Sequence, residues 1–168
     1  MLLQLKPLFM GEKERLPVDA ALDLSALEYQ GERPFQSPVR VTGEVINAAE
    51  VVTLRMVIRY RFDGRCDRCA EPFSREGELE TEHILVSSLE NEDNDDFLLL
   101  ENYQLQLDEV VVTDLLLALP TKHLCREDCR GLCPRCGKNL NEGLCGCRED
   151  KVDPRLAVLA QLMDGETP

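Results

Sequence analysis

The sequence predicts an α+β fold, in which an antiparallel β-sheet domain with one packed helix precedes a small zinc-binding module that ends in a short helix. Three observations support this prediction. Apolar and polar residues alternate over much of residues 39–86, as in half-buried strands, and an apolar run at residues 110–119 is typical of a buried helix. Cysteine, glycine and mixed charge dominate from residue 121 onward. We therefore divide the chain into a β-rich domain at residues 1–120 and a module at residues 121–168.

Three predicted strands account for the alternating pattern. The strongest lies at residues 51–62, where apolar side chains alternate with threonine and arginine. Residues 39–45 alternate in the same way, and a turn at residues 47–50 joins the two strands in a hairpin. A third strand at residues 73–86 places residues 66–72 between two strands. The β-rich domain therefore carries a CxxC pair at a hairpin tip.

The register between the second and third strands is predicted from charge. Facing the arginine side of one strand with the glutamate side of the next gives cross-strand pairs that contribute about 0.2–1 kcal/mol each. The predicted pairs are Arg61–Glu78, Arg59–Glu80, Tyr60–Leu79 and Leu54–Leu85. An arginine row can also contact nucleic acid, but the glutamates opposite it favour a solvated, charge-paired face.

The rest of the β-rich domain contains an acidic loop, a further strand and a helix. The loop is residues 90–96, and the strand falls within residues 97–107. Asp108 is the predicted N-cap of the helix, which ends near Leu119 because Pro120 follows. The predicted packing face consists of Val111, Leu115 and either Ala118 or Leu119.

The module at residues 121–168 has little apolar periodicity. Such a segment cannot bury enough apolar surface to fold alone, and metal ligation supplies the missing stability in small modules of this kind. Asp153 as N-cap and Pro154 at the first helical position predict a short terminal helix. Its packing face is formed by Leu156, Leu159 and either Leu162 or Met163.

The strongest functional signal is a set of eight cysteines: Cys66, Cys69, Cys125, Cys129, Cys133, Cys136, Cys145 and Cys147. Their paired spacings are typical of structural zinc sites, in which four thiolates enclose one ion. Eight cysteines fill two such sites, so we predict two structural zinc ions. Disulfides are the alternative, but they need an oxidising compartment and usually a chain below about 80 residues. A redox CxxC motif would have to open a helix, whereas the tip pair is flanked by strands.

The cysteines divide into two sites in either of two ways. The preferred division pairs the zinc knuckle that begins at Cys133 with the last two cysteines, and gives the sets Cys133, Cys136, Cys145, Cys147 and Cys66, Cys69, Cys125, Cys129. The rival division gives Cys125, Cys129, Cys133, Cys136 and Cys66, Cys69, Cys145, Cys147. Gly137 suits the positive φ that completes a knuckle. His123 is an alternative zinc ligand, although an exposed or capping role is favoured, and His83 fits a satisfied core or edge position.

Charge restricts the partners that the chain can bind. Its net charge is −13, and eight thiolates with two Zn²⁺ would add −8 + 4 = −4. Such a chain is repelled by bulk nucleic acid, because non-specific binding depends on Lys and Arg beside phosphates. Residues 121–155 are locally basic, with eight basic and six acidic residues. We therefore predict Arg130, Arg135 and Lys138 as candidate contacts to RNA.

The sequence gives little support for catalysis. Neither histidine lies beside an evident nucleophile, no nucleotide-binding or hydrolase motif is present, and all-cysteine zinc sites leave no open position. No apolar run approaches the roughly 18 residues of a membrane helix. Residues 1–10 lack the features of a signal peptide. We expect a cytoplasmic protein that is not an enzyme.

Four motifs stand out as a set: CDRCAEPF at residues 66–73, LALP at 117–120, CREDCRGLCPRCGKNLN at 125–141 and DPRL at 153–156. Together with the CxC pair they resemble the YceD family, the large ribosomal RNA subunit accumulation proteins, over residues 39–162. The resemblance implies a non-enzymatic bacterial and plastid factor needed for accumulation of large-subunit ribosomal RNA. Members that keep the CxxC pair can lack several C-terminal cysteines, which implies that the second site is a stabiliser rather than the functional centre.

Two functional hypotheses follow. In the first, the protein acts in large-subunit biogenesis and binds precursor ribosomal RNA or a basic ribosomal protein. In the second, it is a zinc-stabilised adaptor whose partner lies outside ribosome assembly. The ratio of 50S to 30S particles in cells that lack the protein distinguishes the two hypotheses.

Overall fold

The computed structural model describes residues 1–88 and 97–147. The strands are β1 (Leu2–Gln4), β2 (Arg15–Leu22), β3 (Val39–Ala48), β4 (Val51–Arg65), β5 (Pro72–Val86), β6 (Phe97–Leu99) and β7 (Gln104–Gln106). The helices are α1 (Lys6–Phe9) and α2 (Leu107–Ala118). The predicted acidic loop and terminal helix lie outside the described residues. Within those residues, no helix is long and apolar enough to cross a membrane.

Strands β2 to β6 form one sheet in the order of the sequence, and β1 pairs with β7 in a separate two-stranded sheet. The pairs from β2 to β5 are antiparallel, which confirms the predicted α+β class with an antiparallel sheet. Strand β6 runs parallel to β5, which the sequence did not indicate. Residues 97–107 form two strands instead of one, because positive φ values at Asn102 and Tyr103 turn the chain between β6 and β7.

Strand β2 is an element that we did not predict, although apolar residues occupy every second position of its sequence. Leu16, Val18, Ala20 and Leu22 occupy one side of the strand, and Val18 and Leu22 are buried. Pro17 weakens the strand signal because it cannot donate a backbone hydrogen bond. Strand β2 pairs with β3 alone and therefore forms the sheet edge, where a proline is tolerated.

The register of β4 and β5 is shifted by two residues from the predicted one. Arg59 lies opposite Glu78 and forms an ion pair with it, and Tyr60 lies opposite Gly77. A shift of two residues keeps every side chain on its predicted face, so the arginine and glutamate rows still meet. The glycine explains the shift. A Cβ at Gly77 would lie 2.4 Å from the Tyr60 ring, so the ring occupies the space that a side chain would need.

A single hydrophobic cluster contains the inner face of the sheet and one side of α2. The buried residues of β3 and β4 alternate along each strand: Val39, Val41, Val45, Val52, Leu54, Met56, Ile58 and Phe62. Helix α2 packs through Leu107, Val111 and Leu115, and Leu119 follows it into the core, as the packing face predicted. Leu117 is 80% exposed, so one side of the helix rather than the whole helix is buried.

Helix α2 does not begin where we predicted. Asp108 lies in the first turn of α2, and the N-cap is Gln106, which makes no side-chain capping hydrogen bond. Asp108 instead accepts a hydrogen bond from the amino group of Met1 at 2.6 Å. At the other side of the helix, His83 Nε2 lies 2.8 Å from Asp114 Oδ2, so this histidine is satisfied, as expected, and links β5 to α2.

Candidate metal centres

The eight cysteines form two clusters of four. We call Cys66, Cys69, Cys125 and Cys129 centre A, and Cys133, Cys136, Cys145 and Cys147 centre B. Within each centre, the four Sγ atoms lie within 4.8 Å of one another. The structure therefore groups the cysteines as in the preferred division and not as in the rival one.

The spacing of the sulfur atoms fits a tetrahedral metal site. In centre A, Sγ of Cys66 lies 3.7 Å from Sγ of Cys129, and Sγ of Cys69 lies 3.7 Å from Sγ of Cys125. Four sulfurs about 2.3 Å from one zinc ion are about 3.8 Å apart, whereas the sulfurs of a disulfide are about 2.05 Å apart. None of the eight cysteines forms a disulfide in the structure. Both centres could hold a metal ion, and four thiolates are a ligand set that suits zinc.

Both centres begin with the same backbone turn. At the tip, the N–H of Ala70 donates to the carbonyl oxygen of Cys66 at 2.8 Å, and in the module the N–H of Gly137 donates to that of Cys133 at 2.9 Å. In each turn the first cysteine also donates its N–H to the carbonyl oxygen five residues later. The φ angle is +59° at Ala70 and +71° at Gly137, which confirms the conformation predicted for the glycine. The tip adopts this turn with an alanine.

Centre A joins the β4–β5 tip to the chain that follows α2. Two of its cysteines lie in the turn between the strands, and the other two come more than fifty residues later. Arg68 of the tip donates from Nη1 to the carbonyl oxygen of Cys129 at 2.8 Å, and its own carbonyl oxygen accepts from the N–H of Leu132 at 3.1 Å. Gly131 permits this approach, because a Cβ there would lie 2.9 Å from the Arg68 carbonyl oxygen.

His123 is a buried part of the same junction, with 6% of its surface exposed. Its ring stacks on Phe62 with centroids 4.4 Å apart, and the Tyr29 ring meets it edge-on. The backbone N–H of His123 donates to Asp67 Oδ2 at 2.6 Å, and the backbone carbonyl oxygen of His123 accepts from the backbone N–H of Asp67 at 2.8 Å. The predicted exposed or capping role is therefore wrong, because the chain folds back over the tip and covers this ring. The four ligands grouped in centre A do not include His123.

Asn141 links the two centres, and our sequence analysis missed it. It lies on the loop between the two cysteine pairs of centre B. Its Nδ2 donates to Sγ of Cys129 in centre A at 3.3 Å. Its Oδ1 accepts hydrogen bonds from the N–H of Arg130 and from Nη2 of Arg126, both at 2.8 Å. Asn139 Oδ1 in turn accepts from the Asn141 side chain at 2.8 Å. In the sequence, the two asparagines between pairs of candidate metal ligands were the pattern that could have indicated this contact.

The two centres differ in their exposure to solvent. Three of the four cysteines of centre A are 2–3% exposed. In centre B, Cys133 is buried and Cys145 is half-buried, whereas Cys136 and Cys147 are exposed. Water and solutes therefore reach the ligands of centre B more easily than those of centre A.

Three thiols have a pKa below that of an ordinary cysteine: Cys66 and Cys129 in centre A, and Cys133 in centre B. In centre B, backbone N–H donors of Cys136 and Arg135 lower the pKa of Cys133 to about 6. In centre A, burial opposes ionisation of Cys66, but backbone N–H donors outweigh it and lower the pKa to about 6. Burial and the neighbouring thiols raise the pKa of Cys125 to about 12. Each centre thus has at least one thiol that ionises readily near neutral pH, and the thiolate is the form that binds metal.

The three candidate RNA contacts lie at exposed positions of the module. Arg130 directly follows centre A, and Arg135 lies inside the knuckle of centre B. Lys138 follows that knuckle, and its Nζ donates to the carbonyl oxygen of Leu144 at 3.1 Å. Residues 121–147 contain five basic and three acidic residues. The role of these side chains in RNA binding stays a prediction.

Comparison with known proteins decides the family. The sequence model described as "Large ribosomal RNA subunit accumulation protein YceD" matches residues 54–163. This match covers well over half of the chain and includes all eight cysteines. The chain belongs to the YceD family. The name of that family points to accumulation of the large ribosomal RNA, and it describes no known enzyme.

This YceD chain is also similar to curated mycobacterial proteins. Uncharacterized proteins of Mycobacterium bovis and of two strains of Mycobacterium tuberculosis are each 28% identical to it over 108 residues. The aligned segment covers 62% of this chain and 52% of each relative, so the chain spans about half the length of the curated relatives it matches. No solved structure matches it significantly.

Proposed function

We propose that this YceD protein is a non-enzymatic factor for accumulation of large-subunit (23S) ribosomal RNA and biogenesis of the 50S subunit. The observation that carries the proposal is the family match, whose description names large ribosomal RNA subunit accumulation. The matched region begins in β4 and includes the tip, α2 and both metal centres. The region that matches the family model, residues 54–163, therefore contains both groups of cysteines.

In this proposal each centre holds one structural zinc ion. Four cysteine ligands fill the coordination sphere and leave no position for a water molecule or a substrate, which a catalytic zinc needs. The ions would hold the tip and the module together, and the reduced thiols suit the cytoplasm, where disulfides are rare. Zinc therefore shapes a binding surface rather than a reaction site.

The proposed partner is precursor large-subunit ribosomal RNA, bound by Arg130, Arg135 and Lys138. These side chains lie on a basic module in a chain of net charge −13, so RNA contact at the module meets the least repulsion. A basic ribosomal protein, bound by the acidic surface of the β-rich domain, is the second candidate partner in the same assembly.

Deletion of the gene tests the role in assembly. We expect lower 23S ribosomal RNA and fewer 50S particles relative to 30S particles on a sucrose gradient, with restoration by the wild-type chain. An unchanged ratio of 50S to 30S particles would contradict the proposal and favour a zinc-stabilised adaptor outside ribosome assembly.

Charge reversal separates the two candidate partners. The triple variant Arg130→Glu, Arg135→Glu, Lys138→Glu should weaken binding to precursor RNA and flatten its salt dependence, since each lost phosphate contact removes about 0.7–0.9 from the slope of log affinity on log salt. The matched control reverses three exposed basic residues that lie near the start of β4, far from the tip at its other end. These changes are Lys6→Glu, Lys13→Glu and Arg15→Glu. If the triple variant supports 50S assembly and binds RNA as the wild type does, the RNA contact is wrong and the ribosomal protein becomes the partner to test.

A further inference from the structure

We infer that Asn141 couples the two metal centres: metal in exposed centre B fixes the loop that carries Asn141, and Asn141 then strengthens metal binding in buried centre A through Cys129. The inference rests on the zinc part of the proposed function and not on the role in ribosome assembly. It assigns Asn141 as a positioning residue, because the side chain touches a metal ligand and is no ligand itself.

The loop that carries Asn141 is closed at both ends by centre B. Cys133 and Cys136 precede it, and Cys145 and Cys147 follow it. Few backbone hydrogen bonds hold the loop otherwise, among them Leu140 N–H to the Gly131 carbonyl oxygen at 2.9 Å and Glu142 N–H to the Asn139 carbonyl oxygen at 3.2 Å. A segment that buries so little apolar surface keeps a single conformation only when its metal is bound. The position of Asn141 therefore depends on centre B.

The contact that Asn141 makes is one that tunes a metal site. Its Nδ2 lies 3.3 Å from Sγ of Cys129, and a hydrogen bond to a metal-bound thiolate stabilises the negative charge that the ligand carries. Outer partners of this kind change metal affinity by about 10–100-fold when they are removed. Because Cys129 is 2% exposed, no water molecule readily replaces the amide.

The Asn141 side chain also contacts two basic residues of the module, Arg126 and Arg130. Its Oδ1 accepts from the Arg130 N–H and the Arg126 guanidinium, so metal in centre B also fixes basic residues within and directly after the second cysteine pair of centre A. Coupling between two sites is reciprocal, so metal in centre A must raise the affinity of centre B by the same factor. The two centres then bind metal with positive cooperativity.

The test uses the purified full-length chain and zinc alone, in competition with a chelator. Residue-resolved alkylation of the cysteines reads the occupancy of each centre separately. Disabling centre B with Cys145→Ser and Cys147→Ser should lower the zinc affinity of centre A about 10-fold. Asn141→Asp alone should lower it by at least this factor, because aspartate keeps the Oδ1 acceptor but cannot donate to Cys129 and adds a negative charge beside its thiolate. In the Asn141→Asp background, disabling centre B should have little further effect.

Two further measurements separate positioning from general stability. Glu142→Gln, at an exposed neighbouring site on the same loop, should leave the affinity of centre A unchanged. With Co²⁺ in place of zinc, Asn141→Asp should shift the thiolate-to-metal charge-transfer band, and the shift should vanish when centre B is disabled. This optical signature does not depend on whether the variants are less stable.

The coupling is overturned if disabling centre B leaves centre A unchanged, or if it lowers the affinity of centre A equally with and without Asn141. A chain that binds no zinc in either centre overturns both the coupling and the structural zinc. Normal 50S assembly in the deletion strain overturns the role in ribosome biogenesis and leaves the coupling intact.

Discussion

Centres A and B share a set of four cysteines and a starting turn but differ in sequence separation and burial. Centre A brings together cysteines that are more than fifty residues apart and is buried between the tip and the module. Centre B gathers cysteines within a span of fifteen residues, 133–147, and is largely exposed. From this comparison we expect sequence separation and burial, rather than ligand chemistry, to determine what each centre contributes to stability. Centre A joins two parts of the chain, and centre B shapes one.

Removal of metal should have the largest effect and should follow the difference in exposure. We expect close to two zinc ions per chain, because two closed four-cysteine sites bind two ions. With a strong chelator, Cys136 and Cys147 should become reactive to alkylation before Cys66 and Cys69, since the ligands of centre B are exposed. Elemental analysis and mass spectrometry measure both quantities. A chain with four disulfides and no zinc would contradict the two-centre description.

Loss of one cysteine from each centre should separate their roles. Treated as cross-links, centre A closes a loop worth about 4 kcal/mol and centre B a short loop worth about 3 kcal/mol. We expect Cys66→Ser to destabilise the junction of tip and module, and Cys145→Ser to disorder the module while the β-sheet keeps its stability. Urea denaturation followed by far-UV circular dichroism measures this. If Cys145→Ser destabilises the sheet as strongly as Cys66→Ser, the proposed difference between the centres is wrong.

The aromatic stack at the junction should contribute less than the metal. We expect His123→Ala to destabilise the protein by about 2 kcal/mol, because it leaves a cavity beside Phe62 and removes a ring contact. His123→Phe is the matched variant, since it keeps a ring against Phe62 and should recover part of that loss. Denaturation midpoints give the result. Equal stability of the alanine variant and the wild type would show that the stack does not support centre A.

The shared knuckle allows a reciprocal exchange with the smallest expected effect. Gly137→Ala should destabilise centre B by about 1 kcal/mol, because it places a Cβ at φ +71°. Ala70→Gly relieves the same strain at φ +59° but loosens the unfolded chain, so it should change the stability of centre A by between zero and about +1 kcal/mol. Chelator competition compares the zinc affinity of each variant with that of the wild type. The two turns are not equivalent if Ala70→Gly weakens centre A as much as Gly137→Ala weakens centre B.

Local periodicity and cysteine spacing predicted the features that depend on neighbouring residues. The faces of β3, β4 and β5, the packing side of α2 and the knuckle turn at Gly137 all follow from patterns within a few residues. The preferred grouping of the cysteines also agrees with the structure, because adjacent pairs form a closed site with the least loss of chain entropy.

Features that depend on contacts between distant residues were beyond the sequence pattern. Tyr60 sets the register through a glycine on another strand, and charge pairing alone does not distinguish registers that differ by two residues. The stack of His123 on Phe62 joins rings that are about sixty residues apart in the sequence. Asn141, on the loop of centre B, donates a hydrogen bond to Cys129 of centre A. In each case the deciding partner is remote in sequence.

Gly131 has a consequence for the energetics of recognition. With no side chain at this position, the backbone between the two centres lies directly against Arg68, and the Leu132 N–H hydrogen-bonds to it. A partner that touches both the tip and the module therefore meets a surface whose shape is set before the encounter. Such a surface avoids the ordering cost of about 0.5–1.5 kcal/mol for each mobile side chain that binding would otherwise immobilise. A methyl group at residue 131 would push this backbone away from Arg68, so we expect a partner of the joined surface to bind the altered chain more weakly.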